Sequence, residues 1–125
     1  MLPDLPKIIN KKEQSITPRI LAWFRDNYKE NFALEIKVSH TNTLPHSKVE
    51  KHQLQALQLA ENGFLVHKIV DTGTRNPFDA FGLYKVKSWI VIYFIKHKKF
   101  VAISPRTFVQ TKQIRYDMPS ELDIF

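Results

Sequence analysis

The stretch Trp89–Ile95 constrains the fold more than any other part of the chain. It is an unbroken apolar run bounded by polar residues. It is far shorter than the roughly 18 residues of a membrane span. It is also too continuous for a strand with one wet face. It therefore predicts a central strand buried on both faces. Such a strand needs neighbours along its edges and layers above and below. The chain must build a sheet covered by helices.

The neighbours are legible. Phe32–Ser39 alternates strictly, with Phe32, Leu34, Ile36 and Val38 on one side and Ala33, Glu35, Lys37 and Ser39 on the other. That period predicts a strand. Phe64–Val70, Phe78–Tyr84 and Phe100–Ile103 read as further strands. A Lys85–Ser88 hairpin is expected to join Phe78–Tyr84 to the central run. Three helices accompany them. Thr17 is placed to cap the first, with Pro18 at its first position and Ile20, Leu21, Phe24 and Tyr28 on its apolar face. Ser47 and Glu50 have capping-box spacing for a second, ended by Gly63. Its apolar face is Val49, Ala56, Leu57 and Ala60, with Gln53 in the middle and His52 at the margin. Ser104-Pro105 opens a third, short helix. The expected order is α-β-α-β-β-β-β-α. The fold class is α/β (α+β), a mixed central β-sheet flanked by helices. Residues 1–14 read as a flexible basic arm, 15–110 as one domain, and 111–125 as a tail that docks or stays loose.

Composition narrows the function. The chain has 125 residues, 19 Lys+Arg against 12 Asp+Glu, a formal charge of +7, and no cysteine. Disulfide scaffolds, thiol nucleophiles and Cys-type zinc sites are excluded. The chain fits a reducing, cytoplasmic compartment, with no signal-like apolar stretch at its start and no membrane partner. Three glycines form no phosphate-cradling loop, which removes Walker-type NTPases and dinucleotide binders. No histidines pair at metal-ligand spacing, and no serine sits in a nucleophile elbow. A basic balance suits a polyanion through counterion release. It equally describes a solvated surface.

Three polar residues are harder to explain as surface. Glu35 and Lys37 stand at i and i+2 on one strand, so both point to one face. A carboxylate there holds a divalent metal, and an ammonium offsets charge at a phosphodiester. The bland alternative is an ordinary Glu/Lys pair on a wet strand face. Asp79 interrupts a strand rich in aromatics, where a carboxylate is costly without a partner or a metal; a loop-capping aspartate is the alternative. Gln53 lies on an apolar helix face and needs hydrogen bonds from somewhere. Lys48, Lys51, His52, Arg19, Arg75 and His40 are candidates for nucleic-acid contact around such a site.

Leu34-Glu35-Ile36-Lys37, the polar loop with Leu44-Pro45 and Ser47, and His52-Gln53 on the following helix together resemble the PD-(D/E)XK nuclease superfamily. Within it the likeness is to Holliday-junction resolvases. Asp79-Ala80-Phe81-Gly82-Leu83-Tyr84-Lys85 resembles their aspartate-bearing strand and hairpin. The resemblance spans roughly residues 16–104. It implies a restriction-endonuclease-like sheet, Mg²⁺-dependent (or Mn²⁺-dependent) cleavage of DNA, branched DNA among the substrates, and a homodimer. By position, Glu35, Asp79 and the Ile36 carbonyl would bind metal. Lys37 would be the catalytic lysine and Gln53 the helical glutamine. The order departs from the family, whose aspartate precedes the E-x-K strand. Either the aspartate has moved in a permuted fold, or Asp79 is unrelated and Asp26 or Glu30 fills its role. The expected function is a Mg²⁺-dependent DNA endonuclease. The alternatives are a non-catalytic nucleic-acid-binding or complex-forming module on a degenerate nuclease fold, and a small protein-interaction domain.

Overall fold

The computed structural model describes residues 12–70 and 77–124, with side chains from Ser15 onward. The architecture is mixed α+β. Its centre is a sheet of three strands, β1 (Phe32–Ser39), β5 (Lys87–Phe94) and β6 (Lys99–Ile103). β5 lies in the middle, parallel to β1 and antiparallel to β6. The remaining strands form two small antiparallel pairs. β3 (Phe64–Lys68) pairs with β4 (Ala80–Tyr84), and β2 (Thr43–Leu44) with β7 (Ile114–Arg115).

The unbroken apolar run becomes β5 because both its faces are covered. Ile90, Ile92 and Phe94 point to one side and are fully buried beneath α2 (Lys51–Asn62) and α3 (Pro105–Gln110). Trp89 and Val91 point to the other, against α1 (Lys12–Asn27). Ile16, Ile20 and Phe24 form the buried stripe of α1. Fully burying a side chain of this size stabilises the fold by about 1.5–3 kcal/mol. The sheet thus divides the interior into two apolar layers. The α1 layer also takes in Leu34 and Ile36 of β1, Ala102 of β6, and Leu122 and Ile124 of the tail.

Several expectations need correction. The first helix starts at Lys12, within the stretch read as a flexible arm, so Pro18 lies inside it rather than at its first position. Residues 1–11 of that arm lie outside the described residues. Leu21 is exposed, and Ile16 fills the face instead. The second helix starts at Lys51. Its capping box is Glu50 with Gln53, and Ser47 falls in a preceding 3₁₀ turn, His46–Lys48. The expected Lys85–Ser88 hairpin does not form. β4 pairs back on β3, and β5 enters the other sheet. Lys85 takes a left-handed conformation (φ 49°) where the chain leaves β4. Its N–H donates to the Gly63 carbonyl, and that of Val86 donates to the Ala60 carbonyl, at 3.1 and 2.9 Å. These bonds tie the hairpin's base to the end of α2. Other expectations hold. Gly63 caps α2, and the Ser104 hydroxyl accepts from the Thr107 N–H to open α3. The tail docks: the Glu121 N–H donates to the Ala102 carbonyl at 2.7 Å. No described helix is long and apolar enough to cross a membrane.

Candidate active site

Strand alternation puts Glu35 and Lys37 on the α2 side of β1, in register with Ile90 and Ile92 of β5. The two side chains are only 22% and 16% exposed. A carboxylate so placed needs its charge answered. Lys37 Nζ lies 3.4 Å from Glu35 Oε1. The Gln53 side-chain amide donates to the same oxygen at 3.1 Å. Both contacts fall on Oε1, so Oε2 keeps its lone pairs for a ligand.

Gln53 does two jobs. Its Oε1 accepts from the Glu50 N–H at 3.0 Å, which caps α2, while its Nε2 reaches Glu35. The helix start is thereby fastened to the strand that carries the carboxylate. This explains a glutamine on an apolar face. Its hydrogen bonds come from a backbone end and an acid, and both its amide atoms are used.

Glu35 and Gln53 open into a groove of about 370 Å³ between β1, α2 and the β3–β4 hairpin. His52, Leu65, His67 and Phe81 also line it. His67 reads from sequence as structural. It is exposed instead, with its ring 5.3 Å from that of Phe81. The available signal was its alternation with Leu65, which shares its face.

Asp79 does not join the cluster. It is exposed at the start of β4 and makes its backbone bond to Ile69, whose N–H donates to the Asp79 carbonyl at 2.8 Å. That bond fixes the ladder parity. Asp79 falls on the same face of the hairpin as Leu65, His67, Phe81 and Leu83, the face that lines the groove. The hairpin thus presents Asp79 to the groove's side of the molecule without contact to Glu35. Asp26, the alternative acid, is bound by Arg25 at 2.9 Å on α1, beyond the opposite face of the sheet. The Arg25 guanidinium holds its carboxyl below the usual range. Glu30 is exposed in the loop before β1.

The basic candidates divide. Lys48, Lys51 and His52 are exposed at the start of α2, in the turn that carries Gln53. His52 Nδ1 lies 3.2 Å from Glu50. His40 is exposed just beyond β1. Arg19 belongs to the other side of the sheet, in a cleft with Tyr93, Lys98, Phe100 and Leu122, and so is not grouped with the others. Arg75 lies outside the described residues. His46 is not free for substrate: its Nε2 is 3.1 Å from the Phe108 carbonyl, and its ring meets the Phe108 ring edge-on.

The donor set suits a hard cation only in part. Mg²⁺ takes one or two carboxylates and fills its remaining positions with water and phosphate oxygens. Glu35 offers one such carboxylate. β1 is an edge strand, so every second carbonyl along it lacks a ladder partner, as the proposed Ile36 ligand requires. Among the described residues no group of three or more His, Asp or Glu side chains converges on one point. The chain matches no protein-family model, no curated protein and no solved structure.

Proposed function

We propose that the chain is a metal-dependent DNA endonuclease on a permuted, restriction-endonuclease-like fold. The observation that carries this reading is the meeting of Glu35, Lys37 and Gln53 in one half-buried groove. A strand pair and a helical glutamine from separate elements share one carboxylate oxygen. A merely solvated Glu/Lys pair requires neither the burial nor the glutamine. The resemblance to PD-(D/E)XK resolvases and the charge of +7 point the same way.

In this reading Glu35, the Ile36 carbonyl and Asp79 hold Mg²⁺ or Mn²⁺, which when bound supplies Lewis-acid stabilisation of the phosphodiester. Gln53 fixes the rotamer of Glu35. Lys37, held within 3.4 Å of Glu35, offsets charge developing on the phosphoryl oxygens. Lys48, Lys51 and His52 contact backbone phosphates beside the groove, and the substrate class is DNA, branched forms included. Two copies acting together would suit a branched substrate.

The test is cleavage of branched, single-stranded and double-stranded DNA by the purified chain with Mg²⁺ or Mn²⁺. Glu35→Ala and Lys37→Ala are expected to lose about 100-fold or more in rate while still binding DNA. No cleavage of any DNA form, or a Glu35→Ala chain that cuts as fast as the parent, overturns the reading.

One observation favours a second reading. Asp79 is exposed on a separate strand pair, with no contact to Glu35. A non-catalytic nucleic-acid-binding module would tolerate that. It predicts salt-sensitive DNA binding with no metal requirement.

A further inference from the structure

The chain treats its open sheet edges differently. Along β6 the tail covers the edge: the Ala102 N–H donates to the Ser120 hydroxyl at 2.8 Å, and the Ala102 carbonyl accepts from the Glu121 N–H. Along β4 no described strand or tail does the same. The β3–β4 ribbon has only two strands, and a hairpin alone is marginal in water. The parity set by the bonds of Ile69 to Asp79 and of Lys85 to Gly63 joins odd-numbered residues across the ribbon. Ala80, Gly82 and Tyr84 therefore direct their N–H and C=O groups outward.

The same ribbon exposes an apolar face. Phe64, Val66 and Tyr84 share the even-numbered side and are 58%, 67% and 63% exposed. Phe64 and Tyr84 alone present roughly 250 Å² of aromatic surface on each copy, taking about 200 Å² per ring side chain. β4 itself, Ala80–Tyr84, carries no charge in a chain of net charge +7. Proteins usually guard an open edge with lysine, proline or a bulge, and this one has none of them within the strand. A neutral apolar edge does not attract a polyanion. It is the part of a strongly basic surface on which two like-charged copies can meet.

We propose that β4 pairs antiparallel with β4 of a second copy about a two-fold axis at Gly82, making a four-stranded sheet across the dimer. The register is self-complementary. Gly82 faces Gly82, and Ala80 faces Tyr84 in both directions, so the outward groups of each strand meet those of the other. Side-chain sizes agree with it. Tyr84 lies opposite an alanine and diagonal to a glycine. The space over Gly82 is taken by Phe64 of the same chain, whose Cε1 stands 2.7 Å from where a Cβ would be. The area is at the lower end for specific interfaces, so the dimer dissociates on dilution. This inference does not rest on the nuclease reading.

Sedimentation equilibrium of the full chain, from low to high micromolar concentration, tests it. The expected mass rises from 14.7 kDa towards twice that value. Ala80→Lys with Tyr84→Lys sets like charges across the two-fold, and the chain stays at the single mass. Ala80→Glu with Tyr84→Lys sets opposite charges across it and restores the double mass. Hydrogen exchange on the parent provides a readout that needs no variant: the amides of Ala80, Gly82 and Tyr84 gain protection as the mass doubles. A parent chain that stays at 14.7 kDa throughout overturns the proposal. So does a Lys/Lys variant that associates like the parent, or a doubled mass with those three amides unprotected. Protection of these amides only on adding DNA assigns the edge to nucleic acid and equally overturns it.

Discussion

β5 and the β3–β4 hairpin are similar in composition and opposite in fate. Ile90, Val91 and Ile92 of β5 are fully buried, whereas most residues of β3 and β4 are exposed. Both segments are rich in β-branched and aromatic residues. The difference is cover. β5 has a strand on each edge and helices on each face. The hairpin has one packed face, anchored at its base to α2, and its other face is bare. An apolar strand sequence specifies a pleated surface; burial depends on what else the chain brings to it.

The largest expected break of this comparison is truncation of equal rings in the two regions. Phe94→Ala removes a fully buried ring from the α2–α3 layer and should cost about 3–5 kcal/mol in urea unfolding. Phe64→Ala, at 58% exposure on the hairpin, should cost under about 1 kcal/mol, measured well below any dimerisation concentration. Equal losses would show that the hairpin is part of the cooperative core.

A smaller effect lies where the two regions meet. Gln53→Ala removes both the α2 cap and the amide donor to Glu35. It should lower stability by about 1–2 kcal/mol, since the cap and a bond to a charged group are lost together. A loss of cleavage without loss of DNA affinity would separate its role at Glu35 from its role as a cap.

Gly82→Ala sharpens the contrast further. The added methyl meets the far edge of the Phe64 ring, a side chain able to swing outward. The global unfolding free energy should change by less than about 1 kcal/mol, while ring contacts between Phe64 and Tyr84, now 6.1 Å apart, are lost in NMR spectra. A large global loss would mean that ring packing on the hairpin supports the core.

The smallest effect concerns the docked tail. Arg115 bonds Asp117 at 3.0 Å and holds its carboxyl below the usual range, chiefly by that hydrogen bond. A carboxyl lowered in the folded state stabilises above its unfolded pKa and loses that contribution as pH falls through the folded pKa. Asp117→Asn should therefore flatten the acid side of the stability curve slightly and leave neutral pH unchanged. A marked change at neutral pH would contradict an exposed pair of this kind.

Much of the site was legible because it depends on local periods. The i, i+2 spacing put Glu35 and Lys37 on one face. The apolar period of α2 marked Gln53 as a residue in need of partners. The helix starts were less legible, since Thr17-Pro18 and Ser47–Glu50 carry cap-like sequences that the fold uses elsewhere. Arg19 illustrates what spacing cannot give. It sits on α1, and only the sheet between them separates it from Glu35.

The sequence by itself determined a doubly covered β5, an alternating β1 with a polar inward pair, and a third helix capped by Ser104. Each follows from side-chain alternation or from one cap, over a few residues. Tertiary structure alone decided that β4 returns to β3 instead of joining β5. It also decided that Asp79 stands apart from Glu35, and that the tail seals β6 while β4 stays open. Strand partners are chosen by long-range packing and loop closure, which no local period encodes.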